Sequence, residues 1–107
     1  MATTPTLMFR GILTTTTTTQ LYAGAASGTA VVTNIALTNY TATAATATIN
    51  LANAGTNYPI LSAVTVPANT TAFFDVKQVL NGTTNAITGG ASGATSIQAH
   101  ISGVVIV

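Results

Sequence analysis

The sequence predicts an all-β fold, a single-domain antiparallel β-sandwich or jelly-roll of about eight short strands. β-branched residues are abundant, among them 24 threonines, and small turn-forming residues recur along the whole chain. No window places apolar residues at helical spacings of three and four, whereas two segments alternate apolar and polar side chains. The 107 residues are enough for one domain, which we place at residues 1–107.

The two alternating segments are the best-defined strands. In residues 43–51 the side chains of Ala45, Ala47 and Ile49 alternate with threonine and asparagine, and from Thr95 onward apolar and polar residues alternate again. A repeat of two residues places the apolar side chains on one face of an extended chain. Each segment is therefore predicted to be a half-buried strand.

The remaining strands and turns follow from composition. Further strands are predicted at residues 7–13, 17–22, 29–38, 60–66, 70–76 and 84–88, with turns at residues 23–28, 53–57, 67–69 and 81–82. Residues 77–80 are a candidate for one helical turn, and residues 89–93 for a flexible loop. The threonine run 14–19 predicts an exposed edge strand or loop with a poorly specified register. Residues 1–20 as a whole are a candidate docking arm.

The alternation breaks at the C-terminus, where Val104, Val105, Ile106 and Val107 make both faces of the strand apolar. Such a strand is covered on both sides, either by a second layer of its own domain, for instance residues 7–13, or by another subunit. Because exposed apolar patches usually mark interfaces, we expect these four residues to form one. A closed cyclic homo-oligomer, with a trimer as the first expectation, would cover every copy of the patch.

Charge is nearly absent from the chain. Arg10, Lys77 and Asp75 are its formal charges and His100 its one histidine, so 3% of the residues are charged against about 25% in typical proteins. Such a surface is typical of a protein covered by neighbours or coated with hydroxyl groups.

Two basic residues are too few to bind nucleic acid. No apolar stretch reaches the length of a membrane span, and no basic leader precedes an apolar run, so we expect cytoplasmic synthesis and no membrane partner.

The residues of an enzyme active site are also missing. Paired carboxylates are excluded because Asp75 is the one acidic residue, and cysteine chemistry because there is no cysteine. A relay of Asp75, His100 and a serine would lack the G-x-S-x-G turn around its nucleophile. We therefore predict no enzyme, no catalytic residues, no cofactor and no metal site. A small hydrolase remains an alternative only if oligomerisation assembles a site across subunits.

Four segments resemble a known class of proteins. They are TAVVTNIALTN at residues 29–39, VPANTT at 66–71, FDVKQVLN at 74–81 and HISGV at 100–104. Together they resemble small accessory virion proteins of tailed bacteriophages, the class of head decoration or cement proteins. The resemblance implies a β-sandwich or jelly-roll in the virion, displayed in many copies. It implies a role in stabilising the capsid by bridging its subunits, with the major capsid protein or another virion protein as partner.

An alternative within the same particle is a tail or fibre module. Such a module would bind a host receptor or glycan through loops that carry Tyr40, Tyr58 and Asn57, because aromatic faces suit sugars. A high copy number per particle would indicate a cement protein, and a low one a tail part.

Overall fold

Two antiparallel β-sheets packed face to face make up the fold of the computed structural model, which describes residues 3–107. The strands are β1 (Thr3–Ile12), β2 (Gln20–Ala23), β3 (Thr29–Asn39), β4 (Ala45–Asn53), β5 (Thr56–Val66), β6 (Thr70–Phe74), β7 (Gln78–Asn81), β8 (Asn85–Ala91) and β9 (Ile97–Ile106). The part of the chain so described contains no helix, and therefore none that could span a membrane. The predicted all-β class is confirmed, with nine strands instead of about eight.

The strand order is that of a jelly-roll. One sheet has the order β1-β9-β3-β6, with β7 pairing with the same edge of β3 as β6, and the other has the order β2-β8-β4-β5. Successive strands such as β1 and β2, or β3 and β4, lie in opposite sheets, while the first and last strands lie side by side. Both sequence-based alternatives, sandwich and jelly-roll, describe two layers, and this topology selects the second.

The core lies between the two sheets. Ile35, Leu37 and Ile101 of the five-stranded sheet and Ile49 and Ile87 of the four-stranded sheet are completely buried there. The domain measures 45 × 25 × 17 Å, and its short dimension is the thickness of the two layers. The alternating segments behave as predicted, since their apolar positions face this core.

Two local predictions are wrong. Residues 77–80 do not form a helical turn, because Gln78–Asn81 pairs with β3 as strand β7 and buries Leu80. Gly89 and Gly90 do not lie in a flexible loop, because both belong to the buried strand β8. A Cβ atom at Gly90 would lie 2.7 Å from the Thr14 carbonyl oxygen. Glycine is needed there because neighbouring backbone approaches so closely.

The threonine run is the neighbouring backbone that Gly90 accommodates. Most of its side chains are exposed, as expected, but its main chain is held in place. The amide of Ala91 donates to the Thr14 carbonyl at 2.8 Å and the amide of Gly89 to the Thr19 carbonyl at 2.9 Å. The run therefore crosses from one sheet to the other along a defined path.

The candidate docking arm, residues 1–20, is largely part of this framework. Thr3–Ile12 pairs with β9 as an edge strand of the five-stranded sheet, and Leu13, which follows it, is buried. Residues 1 and 2 lie outside the described residues. A docking role for this segment stays a prediction.

Candidate interaction surface

The candidate catalytic residues do not form a site. The Asp75 carboxylate accepts a hydrogen bond from Lys77 Nζ at 2.9 Å, and both side chains are mostly exposed to solvent. His100 lies on β9, which is separated from β6, the strand before Asp75, by the whole of β3. Across residues 3–107 there is no group of three or more His, Cys, Asp and Glu side chains that could hold a metal ion.

The surface that stands out is the solvent side of the five-stranded sheet, which we call the outer face. Phe74, Leu80 and Val105 of this sheet face the core, so that Phe73, Val79 and Val104, one position away, face outward. No strand or loop within residues 3–107 covers Phe73 or Val79. Phe73 is 73% exposed and Val79 52% exposed, large values for apolar side chains on regular strands.

Two rows of side chains run across the outer face from edge to edge. The backbone register joins Pro5 of β1, Val104 of β9, Val31 of β3 and Val79 of β7, and we call these four the apolar row. It likewise joins Arg10, His100, Ala36 and Phe73, on β1, β9, β3 and β6, and we call these the basic-aromatic row.

The two rows determine the character of the outer face. Leu7 and Ile12, both about half exposed, add further apolar surface at its edge. Other outward positions on the strands of this sheet, such as Asn34, Thr38, Gln98 and Ser102, are uncharged. Arg10 is thus the one formal charge on these two rows, while the ion pair of Asp75 and Lys77 lies at the edge of the face, between β6 and β7.

The predicted interface residues at the C-terminus divide between two environments. Val105 packs against the hydrophobic core, whereas Val104 and Ile106 lie on the outer face and Val107 is exposed beyond the end of β9. The inward face of the segment is therefore covered by its own domain, and its outward face is left open. An interface at Val104, Ile106 and Val107 remains a prediction.

Sequence reasoning missed most of the outer face, including Pro5, Leu7, Arg10, Phe73 and Val79. A signal for one of them was available, because Phe73 and Phe74 are adjacent in a predicted strand and adjacent strand residues point to opposite faces. One of the two rings must then face away from the core. The contribution of β1 and β7 was not visible, because it depends on which strands become neighbours.

The three residues of the receptor-binding alternative are not brought together. Asn57 lines a cleft of about 330 Å³ on the solvent side of the four-stranded sheet, together with Thr18, Gln20, Thr84 and Thr88. Tyr58 lines a different cleft, of about 280 Å³, that also includes Val79. Tyr40 follows the far end of β3, about 25 Å along that strand from the position paired with Val79.

Comparisons with known proteins assign the chain to no family. No family model and no curated protein matches it. Among solved structures, chains of infectious bursal disease virus resemble it at 10% identity over 97% of this chain for the Gx strain (TM-score 0.44) and over 96% for the Gt strain (TM-score 0.49). The chain spans 30% of the length of each of these viral chains. The coat protein of Tobacco streak virus resembles it at 12% identity over 97% of this chain and 83% of its own, with a TM-score of 0.47. At TM-scores below 0.5 we carry nothing over from these proteins.

Proposed function

We propose that this chain is a non-catalytic structural protein of a bacteriophage particle, which decorates the capsid and stabilises it by bridging capsid subunits. The observation that carries the proposal is the apolar row, which crosses four strands on a face that the domain itself leaves open. Burying apolar surface contributes about 25 cal/mol per Å², so such a face is stabilised by a neighbouring protein surface.

The charge distribution supports an assembly role. With three formal charges in 107 residues, the chain has little to repel a neighbour and little to attract a charged ligand. The contacts of a densely packed lattice are then apolar side chains and main-chain groups. The jelly-roll topology is compatible, since viral capsid proteins commonly use it, although lectins use it as well.

The resemblance of four segments to phage head decoration proteins points to the same role. This resemblance implies that the chain is located in the virion. It also implies that its partner is the major capsid protein or another virion protein. The chain would act there as a homo-oligomer, with the trimer expected from sequence as one closed form.

The test is the composition and stability of purified particles. We expect the chain in high copy number by quantitative mass spectrometry, and a lower melting temperature for particles that lack it. Val79→Asp should weaken attachment, because it places a charge on the outer face. Thr65→Asp, an exposed position on β5 of the other sheet, should attach normally. Particles without the chain, or equal stability with and without it, would contradict the proposal.

A second function, binding of a neutral glycan by a tail or fibre module, is favoured by one observation. The cleft beside Asn57 is lined by hydroxyl and amide side chains, by alanines and a glycine, and by no charged residue. Thr88 Oγ1 donates to Asn57 Oδ1 at 2.6 Å, and the Asn57 amide nitrogen, which has no acceptor among residues 3–107, can donate to a ligand in the cleft. NMR titration with neutral oligosaccharides should then shift the Asn57 and Gln20 side-chain amide signals. Unchanged spectra at millimolar sugar would exclude this function.

A further inference from the structure

The outer face is large enough for a specific interface. The broad side of the domain fits within a rectangle of 45 × 25 Å, about 1,100 Å², and a stable protein interface buries about 800 Å² on each partner, so the pairing would use most of this side. A second copy of the chain offers a surface of the same size, with the same low charge. A second copy is favoured over other partners because each row, with its order of strands reversed, places favourable side chains opposite its own residues.

We propose that the outer face packs against the outer face of a second copy, related by a two-fold axis parallel to the strands. Such an axis reverses the order of the strands, so that β1 of one copy lies over β6 and β7 of the other. In the apolar row, Pro5 then faces Val79 of the second copy and Val104 faces its Val31. All four contacts in this row are apolar.

The same axis gives the basic-aromatic row a favourable partner. Arg10 faces Phe73 of the second copy, and His100 faces its Ala36. A guanidinium over an aromatic ring is attracted to the ring face, and Phe73 is exposed enough to receive it. Arg10 and His100 of the two copies are kept apart, because each lies opposite an uncharged residue.

A two-fold axis across the strands gives a poorer match. Each strand would then lie over its own copy, and the basic-aromatic row would meet either itself or the apolar row. The first places Arg10 over Arg10 of the second copy. The second places Arg10 over Pro5, which offers neither an aromatic ring nor a hydrogen-bond acceptor on its side chain. Burying a charge without such a partner is unfavourable, so the parallel axis is the one that the side chains support.

This pairing rests on the proposed function and specifies it, with a two-fold dimer in place of the trimer expected from sequence, but it is tested on the free protein. Analytical ultracentrifugation of the full chain should give twice the 10.7 kDa mass of one chain. Phe73→Asp should shift the protein to monomer with an unchanged β-sheet circular dichroism spectrum, and Thr65→Asp should remain a dimer. A wild-type monomer or trimer would overturn the pairing, and neither result would bear on whether the chain occurs in virions.

The position of the axis is tested by a double-mutant cycle on the dimer dissociation constant. Within one chain Arg10 and Phe73 lie three strands, or about 14 Å, apart, too far to interact directly. Across the proposed axis they touch twice, and each cation–π contact is worth about a two- to fivefold change in an equilibrium constant. Arg10→Gln and Phe73→Leu should therefore be non-additive by about 4- to 25-fold. Additive effects would exclude this axis.

Crosslinking supplies a second readout, because the wild-type chain has no cysteine. Packed sheets lie about 10 Å apart, so a short bis-maleimide reaches between facing positions. A mixture of Pro5→Cys and Val79→Cys chains should give a crosslinked heterodimer, while either variant alone should give much less product. Efficient crosslinking of Pro5→Cys with itself would indicate the axis across the strands and overturn the proposal.

Discussion

Met8 occupies the space next to Gly103 that a side chain at residue 103 would need. A Cβ atom built on Gly103 would lie 3.0 Å from Met8 Sδ. The same Cβ atom would also clash with the Val31 carbonyl oxygen. Met8 is the extra residue of a β-bulge in β1, and β3 carries a second bulge at Thr33, opposite the same part of β9. The bulges and the glycine therefore form one packed unit.

These bulges decide which residues face outward. One extra residue reverses the alternation of a strand beyond that point. Without the bulge in β1, Pro5 and Arg10 would point to opposite faces. Without the bulge in β3, Val31 and Ala36 would do so. Both rows of the outer face thus exist on one side because of the two bulges.

Gly103→Ala should destabilise the domain. The added methyl group would meet the Val31 carbonyl and Met8, and overpacking of this kind costs about 1–3 kcal/mol of unfolding free energy. Urea denaturation measures the change. Gly93→Ala is the matched control, because the nearest atom to its new methyl group, Ser96 Oγ, is at an ordinary contact distance of 3.5 Å. Equal stability of the two variants would disprove the role assigned to Gly103.

Asn39→Ala should also destabilise the domain, through lost hydrogen bonds. The buried Asn39 side chain donates to the carbonyls of Thr43 and Val66, at 2.8 and 3.0 Å, and accepts from the amide and hydroxyl of Thr41. Leaving such groups unpaired costs about 1–3 kcal/mol each, and we expect a total loss of about 3 kcal/mol. Thermal unfolding measures it. Asn81→Ala, at an exposed position, serves as control and should change stability by less than about 0.5 kcal/mol.

Gly90→Ala should disturb the threonine run without any change in the run itself. A methyl group at Gly90 would lie 2.6 Å from the Thr16 carbonyl oxygen and push the run away from β8. We expect faster hydrogen exchange at the amides of Gly89 and Ala91, which are bonded to the run. Thr15→Ala alters an exposed side chain and should leave both exchange rates as they are. Protection that persists in Gly90→Ala would show that the run is held by other contacts.

Asp75→Asn should have almost no effect on stability. The bond between Asp75 and Lys77 is short, but the two side chains are 79% and 67% exposed, and such surface pairs contribute about 0–1 kcal/mol. Urea denaturation of Asp75→Asn and of Lys77→Gln should therefore give midpoints close to that of the wild type. A loss of more than about 1 kcal/mol in unfolding free energy would mean that the ion pair stabilises the segment leading into β7.

Assembly should depend weakly on salt. Because the chain has three formal charges, two of which already pair with each other within the chain, screening removes little attraction between copies. The sedimentation profile and the attachment to particles should be nearly the same at about 0.05 and 0.5 M sodium chloride, a range over which the Debye length falls severalfold. Release over that range would indicate a strongly charged partner that Arg10 or Lys77 must meet.

The local pattern of the sequence was sufficient for the class of fold and for several strands. Ala45, Ala47 and Ile49 alternate with polar residues, and this repeat of two needs no knowledge of neighbours. The turn between β4 and β5 was also predicted from composition, at residues 53–57, and Ala54 and Gly55 adopt positive φ there. The lack of paired carboxylates and of cysteine also follows from the sequence, because it is a matter of composition.

Tertiary structure alone decided the order of the strands, the two bulges and therefore the outer face. The alternation in the sequence already places Val105 on the same face as Ile101, but only the position of β9 between β1 and β3 decides which residues flank Val104 on the outer face. The composition of Gly89 and Gly90 predicts a loop, but these residues belong to β8 and the threonine run packs against them. In each case the deciding contact joins residues far apart in the chain, and such a contact leaves no periodic signal in the sequence on either side of it.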